Sequence, residues 1–189
     1  KVISEKKDIT FYPRLYFDNE ILLQTEYRQA NKNSDLLLDV SINNDESVFK
    51  KHLFADLVST NKNKNIYLHL ESVSNDNYLK EKSIKSPIIN DYSTLHSYLK
   101  YNTFSDNSNL DVSLEVYEDL NKKKSNRYEY VFPSFAYEKD LDLKNKMNGQ
   151  LLLTAEGYQK NYNSNVDEFI LTNDMEYSSF PSNNSTIDG

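Results

Sequence analysis

The 189 residues carry a formal net charge of −7 and no cysteine, which removes disulfide scaffolds, thiol catalysis and cysteine-based zinc sites and leaves no bulk attraction for nucleic acid. Aromatic residues reach 13%, with 15 Tyr and 9 Phe against only 3 Gly and 4 Pro, a profile that neither disordered nor collagen-like chains share. Aliphatic runs such as Leu36-Leu37-Leu38 are far shorter than a membrane-spanning helix, yet a mean hydropathy of −0.76 leaves a membrane barrel open, because barrel strands show lipid only every second side chain.

Residues 1–7 have no apolar centre of a signal peptide and no initiator Met, so the chain is expected to start inside a longer protein. From residue 8 the dominant period is two, the alternation of strands with unlike faces. Ile9, Phe11, Pro13, Leu15 and Phe17 alternate with Asp8, Thr10, Tyr12, Arg14 and Tyr16. After Asp18-Asn19, Ile21, Leu23, Thr25 and Tyr27 oppose Leu22, Gln24, Glu26 and Arg28, and then Leu36, Leu38, Val40 and Ile42 oppose Leu37, Asp39, Ser41 and Asn43. Leu53, Ala55 and Leu57 oppose His52, Phe54 and Asp56, and Ile66, Leu68 and Leu70 oppose Tyr67, His69 and Glu71. One long interruption, 75–91, contains Ser86-Pro87.

Beyond it, Leu95, Leu99 and Tyr101 oppose His96, Tyr98 and Lys100, and Leu110, Val112, Leu114 and Val116 oppose Asp111, Ser113, Glu115 and Tyr117. Tyr128, Tyr130 and Phe132 are set against Arg127, Glu129 and Val131, and Leu151, Leu153 and Ala155 against Gln150, Thr154 and Glu156. Val166, Ile170 and Thr172 are set against Asp167, Phe169 and Asn173. The sum is an all-β chain of about ten strands with no helix of useful length. Asn-rich breaks such as 31–34, 61–65 and 105–109 supply turn chemistry where Gly is scarce, and connections this short imply antiparallel hairpins.

Alternation alone fits a soluble sandwich or a membrane barrel. Long strands, a simple meander and mid-strand charges at Arg14, Glu26, Asp39, Asp56 and Glu115 favour the barrel. The lipid-facing set is then Phe11, Leu15, Leu23, Leu36, Leu38, Leu53, Leu57, Leu68, Leu110, Val112, Leu114 and Leu153, and the lumen-facing set is Arg14, Glu26, Arg28, Asp56, Glu71 and Glu115. The alternative is a soluble all-β binding or adhesion module with aromatic platforms.

Site chemistry is sparse. His52, His69 and His96 sit on different strands and read as hydrogen-bonded strand residues, not a metal set. Gly149, Gly157 and Gly189 are too scattered for a phosphate loop, and no nucleophile elbow occurs. Asp45-Glu46, Glu118-Asp119 and Lys122-Lys123-Lys124 read as solvated strand ends and a basic tip. No catalytic residue, metal or cofactor is expected.

The first two strands carry something more specific. Asp8-Ile9-Thr10-Phe11-Tyr12-Pro13-Arg14-Leu15, a short turn, and Leu22-Leu23-Gln24-Thr25-Glu26-Tyr27-Arg28 resemble the start of the barrel in the LptD (OstA/Imp) family of outer-membrane LPS-assembly proteins. Ser74-Asn75-Asp76-Asn77-Tyr78-Leu79 is similar to that family's Ser-Asp-x-x-Tyr segment, 94–101 to the strand after it, and Tyr128-Glu129-Tyr130-Val131-Phe132-Pro133-Ser134-Phe135 to a later strand. The similarity runs in order over most of the chain. It implies that 1–189 is part of a transmembrane barrel, without the family's N-terminal jellyroll and remaining strands. It further implies lipopolysaccharide delivery through a lateral gate in the cell outer membrane, and contact with outer-membrane lipid. The implied partners are an LptE-type lipoprotein plug and, through the jellyroll, a periplasmic LPS bridge. Pro13 matches a gate proline of the family. An open sheet is expected, with free edges near 8–17 and 166–177.

Overall fold

The computed structural model describes residues 2–17, 20–45, 48–122, 126–143, 147–162 and 166–181. They form one antiparallel sheet of eleven strands in strict sequence order: β1 (Val2–Ser4), β2 (Lys7–Leu15), β3 (Ile21–Ala30), β4 (Ser34–Asp45), β5 (Val48–Asn61), β6 (Lys64–Val73), β7 (Thr94–Ser105), β8 (Ser108–Asp119), β9 (Tyr128–Leu143), β10 (Met147–Tyr162) and β11 (Val166–Pro181). A single helical turn, α1 (Tyr78–Glu81), interrupts them. The sheet is an open meander, its two edges paired on one side only. The eleventh strand beyond the ten expected is β1, which pairs with β2 through Val2↔Asp8 and Ser4↔Lys7 and makes the first edge shorter and earlier than 8–17.

Pairing converts the period-two sequence into rows that cross the sheet. One row runs Asp8, Arg28, Leu37, Asp56, His69, Tyr98, Glu115 and Val131 through eight strands. On the opposite face Leu36, Leu57, Leu68, Leu99 and Leu114 are consecutive cross-strand partners. Aliphatic neighbours of this kind contribute roughly 0.2–1 kcal/mol per pair. Turn chemistry holds the hairpins: Asn31 N–H donates to Ser34 O at 2.7 Å, and Asn33 Nδ2 donates to Asn61 Oδ1 at 2.8 Å.

The burial of the two faces is inverted relative to a soluble protein. Leu15 is 79% and Phe11 54% exposed, whereas Asp39 is 0% and Glu26 7%. Ile21, Leu23, Ile42, Leu53, Leu99 and Leu114 are also exposed on the bare apolar face. The polar face is the covered one, because residues 74–93 fold back across it as a strap. Tyr78, Leu79, Ile84, Ile88 and Ile89 of the strap pack on Leu22, Phe54, Leu95 and Leu120 in the only described apolar cluster.

The alternation slips once inside a strand. In β9, Phe132 and Pro133 together oppose Leu114 of β8 on one side and Gly157 of β10 on the other. This is a bulge, one of the few places a sheet accepts proline. Before it Tyr128 and Tyr130 share the apolar face; after it Phe135 and Tyr137 do, paired with Val112 and Leu110. The expected single face through Phe132 is therefore broken there. In β11 the register Leu153↔Met175 and Leu151↔Tyr177 puts Phe169, Leu171, Met175 and Tyr177 on the apolar face, the reverse of the assignment drawn from Ile170 and Thr172. Both faces of β11 carry apolar residues, so only the neighbour settles its phase.

Gly157 is required by the bulge. A Cβ there would stand 2.2 Å from the Phe132 carbonyl oxygen. Gly157→Ala in the full-length protein is expected to cost about 1–3 kcal/mol by overpacking. Thermal unfolding of the folded protein checks it, with Gly149→Ala as the comparison.

Candidate functional site

The strap is built from turn residues. Asn77 N–H donates to Asn75 Oδ1, Ile88 N–H to Ser86 Oγ and Ser93 N–H to Asp91 Oδ1, each two residues apart. The α1 turn closes with Ser83 at φ 47°, Ile84 N–H on Leu79 O at 2.9 Å and Ser83 N–H on Lys80 O at 3.2 Å. That pair of bonds is the Schellman arrangement, and the apolar residues that normally meet across it are Leu79 and Ile84, both in the buried cluster.

Its seat on the sheet is polar. Gln24, Asp39, Ser41, Asn43 and His52 are all buried there. Gln24 Nε2 donates to Asp39 Oδ1 and Oδ2 at 3.0 Å and to the strap's Lys85 O at 2.9 Å. Arg14 Nη1 donates to Lys82 O at 2.7 Å, and Arg14 Nη2 to Gln24 Oε1 at 3.2 Å. Ser41 Oγ lies 2.6 Å from the Tyr78 hydroxyl and 2.5 Å from His52 Nδ1, while His52 Nε2 lies 3.3 Å from Asp39 Oδ1.

Ser41, His52 and Asp39 thus reproduce a nucleophile–base–acid spacing. Tyr78 covers the serine, and all three are 0–3% exposed, so no substrate reaches the oxygen. Ser41 hydrogen-bonds His52 on the sheet and Tyr78 on the strap, with the Asp39 carboxylate as the charge neighbour of the imidazole.

Ion pairs ring the strap. Lys82 meets Glu20, Lys50 Nζ meets Glu81 at 3.0 Å, and Arg127 bridges Asp76 at 2.6 Å and Glu118 at 2.5 Å. Pairs with an exposed acid, at Glu81 and Asp76, contribute about 0–1 kcal/mol each, and in the shielded Lys82–Glu20 and Arg127–Glu118 pairs desolvation offsets much of the attraction, against roughly 1.5–3 kcal/mol for burying each large apolar side chain. The apolar residues therefore supply the adhesion, and the polar bonds decide where the strap lands.

Beyond the strap, the polar face continues as an acid–imidazole chain. His69 Nδ1 meets Asp56 at 2.7 Å and His69 Nε2 meets Glu71 at 3.0 Å. Glu71 Oε2 accepts the His96 N–H at 2.8 Å, and His96 Nε2 meets Glu115 at 2.9 Å. Lys100 and Tyr117 complete the Glu115 shell at 3.0 and 2.9 Å. The rings stack: His69 on Tyr98 at 5.1 Å and His96 on Tyr117 at 4.2 Å. Ser97 Oγ stands in for the ladder where β6 and β7 part, accepting from Glu71 N–H and donating to Glu71 O.

Arg14, Glu26, Arg28, Asp56, Glu71 and Glu115 all lie on this polar face. Arg28, Asp56 and Glu115 occupy one row, Arg28 reaches Glu26 within β3, and Arg14 is drawn under the strap. The three histidines lie on separate strands. Among the described residues, no group of three or more His, Asp or Glu is placed to hold a metal ion. Glu118 binds Arg127 and Tyr128, and Asp119 binds Lys122; Glu46, Lys123 and Lys124 lie outside the described residues. The strap seat was not read from the sequence. The signal available was the hairpin register, which places Ser41 opposite His52.

No protein-family model matches the chain, and no curated protein matches it in sequence.

The bond from Lys82, helped by Asn43 and opposed by burial, holds the Glu20 carboxyl below the usual carboxylate range. Burial raises the Tyr78 hydroxyl, partly offset by its bond to Ser41. A depressed carboxylate contributes stability above its unfolded pKa of about 4.3 and loses it as pH falls through the folded value. Comparing thermal unfolding at pH 6 and pH 3 should show Glu20→Gln destabilising at pH 6, with the difference from native shrinking at pH 3. An unchanged difference would remove Glu20 from the strap's support.

Proposed function

We propose that this chain is a stretch of the wall of an outer-membrane barrel of the LptD type, which delivers lipopolysaccharide to the outer leaflet through a lateral gate. The observation that carries the reading is the inverted burial: leucines and phenylalanines bare, carboxylates and histidines covered. In water that arrangement exposes an apolar surface with no partner; in a bilayer it is the stable one. Strands β2 to β11 have 9–16 residues, enough to cross tilted. The ordered motifs around Pro13, Tyr78 and Phe132-Pro133 support the family reading.

In this reading Arg14, Glu26, Arg28, Asp56, Glu71 and Glu115 face the lumen. The leucine row faces lipid. Pro13 belongs to the gate for a physical reason. Ala30 N–H bonds Lys6 O and Tyr16 N–H bonds Glu20 O, so even-numbered residues of this stretch bond β3 and odd-numbered ones point to the other edge. The donor that Pro13 lacks is on that edge, beyond the short β1. The partners are a lipoprotein plug of the LptE type in the lumen and a periplasmic lipopolysaccharide bridge reached through a jellyroll domain.

Fractionation of cells expressing the full-length protein tests the location. It should enter the outer membrane and require detergent for extraction; extraction without detergent would select the soluble binding module instead. Depleting it should leave new lipopolysaccharide inside the cell surface. Leu114→Arg should impair assembly by roughly 2–4 kcal/mol if the residue lies near the midplane, read as loss of heat-modifiable migration. Pro13→Ala restores an edge donor, so it should tighten the seam and slow surface delivery in a pulse-chase assay. Normal delivery would leave Pro13 a strand irregularity.

A further inference from the structure

The strap's apolar side chains give adhesion without address, because Leu79, Ile84, Ile88 and Ile89 would bury as well after a slip along the sheet. Inside the ring of ion pairs, three directional bonds seat the middle of the strap: Arg14 to Lys82 O, Gln24 to Lys85 O, and Ser41 with the Tyr78 hydroxyl. The first two read strap backbone, which any residue presents. The third reads a strap side chain, as the ion pairs at Asp76, Glu81 and Lys82 do at the strap's margins, but it alone of these joins two side chains that are both fully buried. It is also the deepest: Tyr78 is 0% and Ser41 1% exposed.

The serine is itself held. Ser41 sits directly opposite His52 in the β4–β5 register, His52 stacks on Phe54 at 4.4 Å, and Asp39 is fixed by both of its oxygens on Gln24. A buried relay of this kind is costly to leave incomplete. A strap displaced by one residue would carry the Tyr78 hydroxyl away from Ser41.

We propose that Tyr78 is the positioning residue of the strap, and that Ser41, oriented by His52 and Asp39, is the fixed receptor for its hydroxyl. Seated this way, the strap covers the β2–β5 end of the polar face. It reaches β7 only at Leu95 and leaves uncovered the farther part of β7 to β9, where Lys100, Asn102, Asp111, Ser113 and Ser134 line an open hollow of about 270 Å³. One strap residue, Pro87, also borders a cleft of about 580 Å³ that is otherwise lined by β1 to β4 and their turns, Lys7, Asp8, Arg28 and Leu37 among them. The inference concerns how the strap is addressed and holds for a barrel and a soluble module alike.

Amide hydrogen exchange of the full-length protein, followed by mass spectrometry, tests it. Tyr78→Phe removes only the hydroxyl; Ser41→Ala removes its receptor and the Ser41–His52 bond as well. Each should speed exchange in peptides covering 78–89, Tyr78→Phe by about threefold to tenfold, the range one buried hydrogen bond carries, and Tyr78→Phe should leave β4 and β5 amides unchanged. The double variant should match Ser41→Ala, since that change has already broken the bond that Tyr78→Phe removes. Ser41→Thr keeps a hydroxyl and should exchange like the native protein. Unchanged strap exchange in Tyr78→Phe overturns the proposal. So does multiplication of the two effects in the double variant. Faster exchange in β4 and β5 of Tyr78→Phe would also overturn it, since the pair would then belong to the sheet's own core.

Discussion

A side chain on a strand has two directions available, and the strand beside it inherits the choice. That constraint governs this molecule. Once Arg28 and Leu37 are partners, the phase of Asp56, His69, Tyr98 and Glu115 is fixed strand by strand across the meander. The leucine row on the other side follows from the same register, one residue out of phase. No layer of packed helices or second sheet is needed to define the faces. The hairpins define them, and the surroundings then determine which face can be bare.

The covered face is rich in acids and imidazoles, and they are supplied with partners. Asp39 is satisfied by Gln24, Glu71 by His69 and His96 N–H, and Glu115 by His96, Lys100 and Tyr117. Burial of charge is tolerable only on such terms. Cross-strand acids and imidazoles achieve this on β5 to β8, while on β2 to β5 the strap contributes the missing partners from its own backbone and from Tyr78. The two halves solve one problem by different means, which explains why the long connection is found where the in-sheet partners run out.

Much of this was legible in the sequence. Alternation gave the strands from β2 to β10 and the faces of most of them, because a period of two survives any tertiary context that keeps the strand. The short β1 was missed, since three residues carry no period. The phase of β11 was inverted because Phe169, Ile170 and Leu171 are consecutive and apolar on both faces. The strap seat was out of reach for another reason: residues 75–91 have no repeat, and their contacts with Gln24, Ser41 and Leu22 depend on turns at Asn75, Ser83 and Asp91. The relay needed the hairpin register as well as residue types, and serine, histidine and aspartate are common enough on strands to attract no notice singly.

The paired residues Phe132 and Pro133 have an effect beyond their own contacts. They act as a phase corrector in a two-letter code. Upstream of them in β9 the outward letters fall on even numbers, downstream on odd, and the strands to either side read through without a slip. A single-residue insertion or deletion elsewhere in a strand would turn every later side chain of that strand over. At this point the chain already holds one surplus residue, so losing it would restore an unbroken ladder and leave the faces of 128–131 and 134–143 as they are, whereas a deletion elsewhere in β9 would set one part against the other. Length changes in β9 are therefore constrained by parity, and the bulge is the one position in that strand where parity is set.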